Sequence, residues 1–214
     1  MKGDILILDD NHRKAAAKVV EIIKSNIQSR KGKFVITVAG ESGAGKSEVA
    51  EAISDELKKY ELKSFVFGQD DYFKLPPKTN ENKRKEDISW VGMNEVKLEL
   101  LDQNLASAIE SKTPLTKPLV DFNADKIGEE TVNLGAYDVL IAEGTYCTTL
   151  KNVDCKVFID RNKMDTVESR KKRAREAQDE FLDNILTIEH EIISKHKELA
   201  NIVISKQWEA KKAK

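Results

Sequence analysis

Short apolar runs alternate along the chain with longer stretches in which apolar residues recur every three or four positions. The runs are rich in Val, Ile and Phe, which favours buried strands, and they occupy residues 33–39, 64–69, 139–142, 156–159 and 202–204. The stretches between them predict helices over about residues 45–60, 94–109, 163–177 and 180–197. Strands that alternate with helices predict an α/β fold with a doubly wound parallel sheet, and functional residues at the carboxyl ends of its strands.

Residues 1–31 precede this alternation. The run Ile5-Leu-Ile-Leu8 predicts a short edge strand, and residues 11–29 predict a helix. The apolar stripe of this helix consists of Ala16, Val19, Val20, Ile23 and Ile27. We expect an N-terminal extension packed at the side of the core, followed by a main domain over residues 32–214.

Residues 74–92 are polar and interrupt the pattern. They contain Pro76-Pro77 and a charged stretch over residues 78–87, which together favour a loop or an irregular flap over a helix. Asn94 is then suited to cap the next helix.

Residues 40–47 read Gly-Glu-Ser-Gly-Ala-Gly-Lys-Ser and match the phosphate-binding loop pattern G-x-x-x-x-G-K-[ST]. The glycines permit the turns that aim successive backbone N–H groups at phosphate oxygens. Lys46 is suited to the β- and γ-phosphates, and the hydroxyl of Ser47 to Mg²⁺. Since a predicted strand and a predicted helix flank the pattern, the sequence predicts binding of a nucleoside triphosphate. The candidate nucleotide-binding residues are Gly40, Ser42, Gly43, Ala44, Gly45, Lys46, Ser47 and Glu48.

Composition and charge limit the partners and the cellular compartment that we expect for this protein. Charged residues make up 34% of the 214 residues but nearly cancel, which leaves a formal net charge of −1. A general nucleic-acid binder carries a basic excess, so no nucleic-acid partner is expected. The two cysteines imply no disulfide framework and favour a reducing compartment. Because no signal-peptide core and no stretch of membrane-spanning length is present, we expect a cytoplasmic protein without a membrane partner.

Carboxylates follow two of the predicted strands. Asp70 and Asp71 come directly after the second strand, where a carboxylate can accept a proton from an attacking hydroxyl or hold Mg²⁺ through water. Adjacent side chains of an extended chain point in opposite directions, so only one of the two is expected to face the site. The alternative is that one aspartate caps a turn and the other is solvated. Glu143, directly before Gly144, is either a second carboxylate for Mg²⁺ or a surface residue that begins a loop.

A basic segment over residues 161–176 contains seven Lys or Arg against three Asp or Glu. Arg170 and Arg173 are i,i+3 neighbours on the predicted helix, and Arg175 follows shortly after. Such arginines on a mobile helix can close over a triphosphate and stabilise the transferred charge. A lid over about residues 161–180 and a solvated charged helix are both consistent with this pattern.

Several of these segments occur together in order, namely residues 40–47, Gln69-Asp-Asp-Tyr-Phe73, Pro118-Leu-Val-Asp-Phe122, Ala142-Glu-Gly144 and the Arg-rich helix from Asp165. The series resembles the uridine kinase/phosphoribulokinase family of P-loop kinases over about residues 33–205. The resemblance implies a P-loop NTPase fold with a five-stranded parallel sheet, a helical lid, and the use of ATP and Mg²⁺. Members commonly oligomerise, so a homo-oligomer is an expectation as well.

The resemblance also implies roles for single residues. Asp70 would be the general base toward the acceptor hydroxyl, and Lys46, Arg170 and Arg173 would act with it in catalysis. Arg175 would contact the nucleotide. The acceptor side of the site would contain Asp70, Tyr72, Asp121, Phe122 and Glu143, and Mg²⁺ would lie near Ser47 and Glu143.

The sequence departs from the pyrimidine nucleoside kinases of this family at the elements that hold the nucleoside. Val120 stands where those enzymes have a tyrosine, and no histidine follows soon after Asp121. Their Asp-His-Pro element has no match, and Trp90-Val-Gly-Met93 occupies that neighbourhood. Trp90 is therefore either a stacking partner for a base or an anchor for the flap. We expect uridine and cytidine to be poor substrates.

These observations predict an ATP-dependent kinase that transfers the γ-phosphate to a hydroxyl of a small metabolite. The acceptor is a nucleoside, a phosphorylated sugar or another hydroxylated compound. The main alternative is a nucleotide-dependent regulatory ATPase without a small acceptor, for which the helix at residues 10–29 is the candidate partner surface. A polynucleotide kinase is disfavoured by the near-neutral charge.

Overall fold

The computed structural model describes residues 1–3, 6–110, 114–173 and 179–213, apart from the side chain of Arg173. Its strands are, in chain order, β1 (Phe34–Gly40), β2 (Ser64–Gly68), β3 (Leu115–Asp121), β4 (Lys126–Val132), β5 (Val139–Glu143), β6 (Cys155–Ile159), β7 (Ile202–Ile204) and β8 (Ala210–Lys212). Six of them form the main sheet in the order β2-β5-β1-β6-β7-β8. The first five are parallel, which confirms the predicted five-stranded parallel sheet. Strand β8 adds an antiparallel edge that its Ala-Lys-Lys sequence does not reveal.

Helices cover both faces of this sheet. They are α1 (Asp10–Ser29), α2 (Lys46–Lys58), α3 (Pro77–Glu86), α4 (Leu98–Glu110), α5 (Val167–Arg173) and α6 (Glu180–Ile193). All of β1 is buried, and its side chains alternate between two cores: Ile36 and Val38 belong to one, Val35 and Ala39 to the other. A central parallel strand buried on both faces has this apolar composition. No helix in the described ranges is both long and apolar enough to cross a bilayer.

The N-terminal helix α1 contributes to the main core. Its predicted apolar stripe is buried in the same cluster as residues of α2, β1 and β8. Asp9 caps the helix by accepting from the backbone N–H groups of Asn11 and His12. The predicted strand at residues 5–8 is wrong for residues 6–8, which have no regular structure, and Ile5 lies outside the described residues.

Residues 74–92 contain a helix, so the prediction of a loop or irregular flap is wrong for residues 77–86. Pro77 occupies the first turn of α3, where the missing N–H of a proline costs no hydrogen bond. The inner face of α3 carries Asn80 and Arg84, an i,i+4 pair bonded to buried Glu95. Apolar periodicity fails to reveal α3 because polar contacts hold it in place.

Strands β3 and β4 form an antiparallel hairpin outside the main sheet. Asp125 closes its turn with a positive φ of 50°, a conformation that aspartate tolerates. The hairpin lies beside the segment Gln69–Tyr72, a 3₁₀ turn that follows β2. It therefore brings the Pro118–Phe122 segment to the carboxyl edge of the sheet.

The last two predicted helices are shorter than expected. Within the predicted helix at 163–177, α5 covers Val167–Arg173 and residues 174–178 lie outside the described residues. Helix α6 ends at Ile193, and the rest of the predicted helix at 180–197 lies in a 3₁₀ segment, Ser194–Leu199.

Candidate active site

The phosphate loop joins β1 to α2 at the carboxyl edge of the sheet. Gly40, Gly43 and Gly45 have φ angles of 155°, 74° and 96°, a region that other residues rarely adopt. A Cβ on Gly43 would lie 2.7 Å from Cγ of Arg170, and a Cβ on Gly45 would lie 2.8 Å from the ring of Trp208. Gly45 is the N-cap of α2, so the unpaired N–H groups of the first helical turn are available to a phosphate.

The first two residues of α2 hold the polar side chains of the loop. Lys46 Nζ donates to the backbone carbonyl of Glu41 at 3.0 Å, which keeps the ammonium group over the loop. Ser47 Oγ donates to Oε2 of Glu143 at 3.1 Å. The loop thus presents an ammonium group and a hydroxyl on one side, as phosphate and metal binding require.

Three other predicted loop residues differ in their exposure. Ser42 lines a cavity next to the loop. The side chains of Ala44 and Glu48 are buried, so only their backbone is available to a nucleotide.

Glu143 ends β5 between the ends of β1 and β2, where its register partners are Val38 and Gly68. Burial raises the pKa of Glu143 to about 7, and the neighbouring charge of Asp70 adds to the shift. Lys46 and Ser47 oppose it. A carboxyl group with a raised pKa is stabilised in its charged form by a nearby dication.

Ser47 and Glu143 together fit Mg²⁺. Both offer oxygen, and Mg²⁺ is usually held through one or two protein groups together with waters and substrate phosphates. In the described part of the chain, no group of three or more His, Cys, Asp or Glu is arranged as a metal site of its own. With Ser47 and Glu143 as the two protein groups, the phosphates of a nucleotide are suited to complete the coordination of the cation.

The two aspartates after β2 have different surroundings. Asp71 is 3% exposed, and its carboxylate accepts from the backbone N–H of Val120 and from Lys117 Nζ, both at 3.0 Å. Asp70 lines the cavity beside the loop. The geometry therefore assigns Asp71 to a buried ion pair and leaves Asp70 at the surface that a ligand reaches.

The cavity has a volume of about 380 Å³, which suits a small metabolite. Ser42, Asp70 and Thr145 line it from the carboxyl edge of the sheet. The remaining lining residues come mostly from α3, α6 and the segments next to them: Met1, Phe73, Leu75, Pro77, Lys78, Asn80, Glu81, Arg84, Phe122, Asp179, Phe181, Leu182, Ile185 and Glu189. One cavity thus adjoins both the phosphate loop and Asp70.

The other predicted acceptor-side residues are only partly brought together. Phe122 lines the cavity. Tyr72 does not: it is fully buried, its hydroxyl accepts from Asn104 at 2.9 Å, and burial raises its pKa. Its aromatic ring belongs to the core, which is why the side chain turns away from the cavity.

Asp121 and Glu143 also contact protein groups instead of lining the cavity. Asp121 ends β3, where the backbone N–H of Ala124 and the ammonium group of Lys2 lower its pKa. The Lys2 ammonium lies 2.9 Å from its carboxylate. Trp90 does not line the cavity either, and its ring N–H donates to Asn80 at 2.9 Å, so it anchors α3.

Of the three predicted lid arginines, Arg170 lies against the phosphate loop at Gly43. Its guanidinium donates to the carbonyl of Lys163 at 2.9 Å and to the hydroxyl of Thr166. Arg173 ends α5, and Arg175 lies outside the described residues. The lid and the roles of Arg173 and Arg175 therefore stay predictions.

The sequence patterns do not reveal two polar contacts of the site. Glu41, inside the loop, lies 2.5 Å from Nδ1 of His190 and so connects the loop to α6. Arg84 binds Glu95 through two hydrogen bonds and lies 3.5 Å from Glu189 on α6. These partners are far apart in the sequence, and only the i,i+4 spacing of Asn80 and Arg84 hints at an inward-facing helix.

Comparisons with known proteins test the family resemblance and the fold. The phosphoribulokinase/uridine kinase family model matches residues 35–184. A uridine kinase from Latilactobacillus sakei is 24% identical over 187 residues, which cover 82% of this chain and 86% of that protein. A solved structure of a possible uridine kinase from Bacillus stearothermophilus has a TM-score of 0.62 at 20% identity, covering 87% of this chain and 97% of that one. The structure of a D-glycerate 3-kinase from Cryptococcus neoformans has a TM-score of 0.64 at 15% identity, covering 96% of this chain and 100% of that one.

The match of the family model spans well over half of the chain and includes the phosphate loop, Asp70 and Glu143. The predicted resemblance is thereby confirmed, together with the P-loop kinase fold. This chain belongs to the phosphoribulokinase/uridine kinase family.

Proposed function

We propose that the protein is an ATP-dependent kinase that transfers the γ-phosphate of ATP to a hydroxyl group of a small metabolite. The observation that carries this proposal is the cavity lined by both Ser42 of the phosphate loop and Asp70. A kinase must hold the phosphate donor and the acceptor hydroxyl in contact and away from water, because water competes with the acceptor.

Several residues at the carboxyl edge of the sheet have a task in the proposed reaction. The loop N–H groups and Lys46 orient the phosphates, so that the γ-phosphate faces the cavity. Ser47 and Glu143 would hold Mg²⁺, which would neutralise phosphate charge when it is bound. Asp70 takes the proton from the acceptor hydroxyl as the hydroxyl oxygen attacks the γ-phosphorus. The bond from that phosphorus to the oxygen shared with the β-phosphate breaks, and ADP leaves. Arg170, next to Gly43, stabilises the charge of the transferred group.

The identity of the acceptor is open within this family, since the similar proteins are named for acceptors as different as uridine and D-glycerate. Uridine and cytidine are expected to be poor acceptors. Val120 offers no phenol, and its side chain is fully buried in the hairpin. Asp121 is engaged with Lys2. The nucleoside contacts implied by the resemblance are therefore weakened on this hairpin.

A regulatory ATPase without a small acceptor remains the second candidate. The sequence offers α1 as the candidate partner surface, but the apolar side of α1 is buried against the core. The side of α1 that faces solvent is polar, and its described residues provide no apolar patch of the kind that marks a protein-binding surface. This observation favours the kinase over the regulatory ATPase.

The test compares what stimulates nucleotide turnover. Purified protein with MgATP is supplied either with pools of hydroxylated metabolites or with protein fractions, and ADP release is measured. The kinase proposal expects stimulation by metabolites that disappears in Lys46→Ala. Stimulation by protein fractions alone would favour the regulatory ATPase.

A further inference from the structure

The phosphate loop carries a carboxylate beside the donors that would receive a phosphate. Glu41 directly follows Gly40, the first residue of the loop, and its side chain is 8% exposed. Such loops bind through backbone N–H groups and a lysine, because the ligand is an anion that accepts hydrogen bonds. A carboxylate is also an anionic acceptor, so it can repel the phosphates or compete with them for the same donors. The loop therefore depends on where the Glu41 carboxylate is held.

The backbone of Glu41 lies among these donors. Its carbonyl oxygen accepts from Lys46 Nζ at 3.0 Å and from the backbone N–H of Ala44 at 3.1 Å. The lysine that is suited to the β- and γ-phosphates thus contacts the same residue that carries the carboxylate. Since this carbonyl and the carboxylate belong to one residue, a carboxylate that nothing holds has Lys46 within its reach.

His190 holds this carboxylate on the side of α6. Its Nδ1 lies 2.5 Å from Oε1 of Glu41, and since an ionised carboxylate only accepts, Nδ1 is the donor. The second carboxylate oxygen, Oε2, is buried and has no hydrogen-bond partner among the described residues. Removal of His190 would therefore leave a buried carboxylate without the hydrogen bond that the structure gives it, at a cost that exceeds the gain from an ordinary hydrogen bond.

The helix that carries His190 is a packed element of the cavity wall. Leu182 and Ile185 of α6 are buried and line the cavity, and Ser42, next to Glu41, lines it from the loop. The contact therefore ties the loop carboxylate to a helix that the core holds in place. The His190 side chain itself is 46% exposed, so its replacement opens no core cavity.

We propose that His190 is a positioning residue for nucleotide binding: it holds the Glu41 carboxylate against α6 and so keeps it away from the donors that receive the phosphates. His190 acts through Glu41 and touches neither the nucleotide nor the acceptor. The inference rests on the proposed function in one respect, the binding of MgATP at the phosphate loop, and it adds a residue of α6 on which that binding depends.

The first test replaces the ring of His190 by one without an N–H donor. Isothermal titration calorimetry measures the Kd of the full chain for MgATP in wild type and in His190→Phe. We expect the Kd to rise by about 10-fold or more, the factor that corresponds to a hydrogen bond with a charged group. Asn184→Phe is the matched control, because Asn184 lies on the same helix but is exposed and does not line the cavity. Thermal unfolding checks that each variant is folded, and His190→Ala is the second variant in case phenylalanine disturbs the helix.

The second test asks whether His190 acts through the charge of Glu41. Glu41→Gln removes the anion and keeps the shape of the side chain, so adding it to His190→Phe should return the Kd for MgATP to within about 3-fold of wild type. His190→Asn places an N–H donor as far from the backbone as Nδ1 and should retain binding within about 3-fold as well. A role in helix stability alone would produce neither recovery.

The outcomes separate this inference from the proposed function. Binding of MgATP by folded His190→Phe as tight as that of wild type would overturn the inference and leave the kinase function standing. Equally weak binding by His190→Phe with and without Glu41→Gln would overturn the role of the carboxylate, and the inference with it. If wild type binds MgATP but phosphorylates no acceptor, the kinase function is contradicted while the inference is kept. If wild type does not bind MgATP, both fall.

Discussion

Loss of the ion pair between Asp71 and Lys117 is expected to destabilise the protein. Lys117 Nζ lies 3.0 Å from the Asp71 carboxylate, and both residues are 3% exposed. The pair joins the turn after β2 to the β3–β4 hairpin, two segments 46 positions apart in sequence. Lys117→Met fills the same space but leaves the buried carboxylate with the backbone N–H of Val120 as its main remaining donor on the hairpin.

The magnitude follows from the cost of a buried charge that loses its nearest cation. The amino group of Met1 lies 3.4 Å from Oδ1 of Asp71 and still compensates part of that charge. Removing one partner of a buried ion pair costs about 3–5 kcal/mol. Lys117 also lies 2.7 Å from Glu130, but that side chain is 36% exposed and regains water when the lysine is lost. We therefore expect a loss of about 3 kcal/mol in the free energy of unfolding, near the low end of that range. For a chain of this length, that is a decrease of about 6–12 °C in Tm.

Chemical and thermal unfolding of Lys117→Met measure this loss. Lys126→Met is the control, because Lys126 belongs to the same hairpin but is exposed. Adding Asp71→Asn to Lys117→Met removes the carboxylate charge that Lys117 no longer balances, and this is expected to restore part of the stability. A change in Lys117→Met no larger than that of Lys126→Met would refute the reasoning.

Three further outcomes are expected. Lys46→Ala should abolish phosphoryl transfer while Tm stays near wild type, because the Lys46 side chain contacts the phosphate loop and not the core. Near-normal turnover of this variant in kinetic assays would contradict this expectation. Since burial raises the pKa of Glu143 from 4.5 to about 7, the folded nucleotide-free protein binds this proton more tightly than the unfolded chain. The contribution of this carboxyl group to the free energy of unfolding should therefore decrease as the pH rises from about 4.5 to 7, and it should stay constant above pH 7. Glu143→Gln should remove this pH dependence in denaturant titrations at a series of pH values. Gly144→Ala should be destabilising in the same titrations, because its φ is 155° and the added Cβ would lie 2.2 Å from Cβ of Gln69; a neutral effect would show that this turn adjusts easily.

The parallel sheet and the phosphate loop could be predicted from the sequence because their signals are local. The β1 strand is a continuous apolar run, and Gly40–Ser47 contains each fixed position of the motif. The placement of Asp70 at the carboxyl edge follows from the same rule about parallel strands.

Helix α3 and the side of the cavity that α3 and α6 form could not be predicted because their contacts are long-range and polar. Arg84 forms ion pairs with Glu95 and Glu189, and polar contacts of this kind produce no apolar periodicity in the sequence. The orientation of Asp71 depends likewise on Lys117, which becomes its neighbour only when the hairpin docks. The family resemblance implies that Tyr72 lies at the acceptor, whereas packing in the core determines its position.

The central claim is that the γ-phosphate passes to an acceptor hydroxyl activated by Asp70. The most direct measurement follows ATP labelled at the γ-phosphorus and determines how the label is divided between an organic product and inorganic phosphate. With a productive acceptor, the label should appear in a product heavier by one phosphoryl group. In Asp70→Asn, the transfer rate should fall by about 10²–10⁴-fold while ATP binding is retained. Label that always ends in inorganic phosphate, or full transfer by Asp70→Asn, would contradict the account.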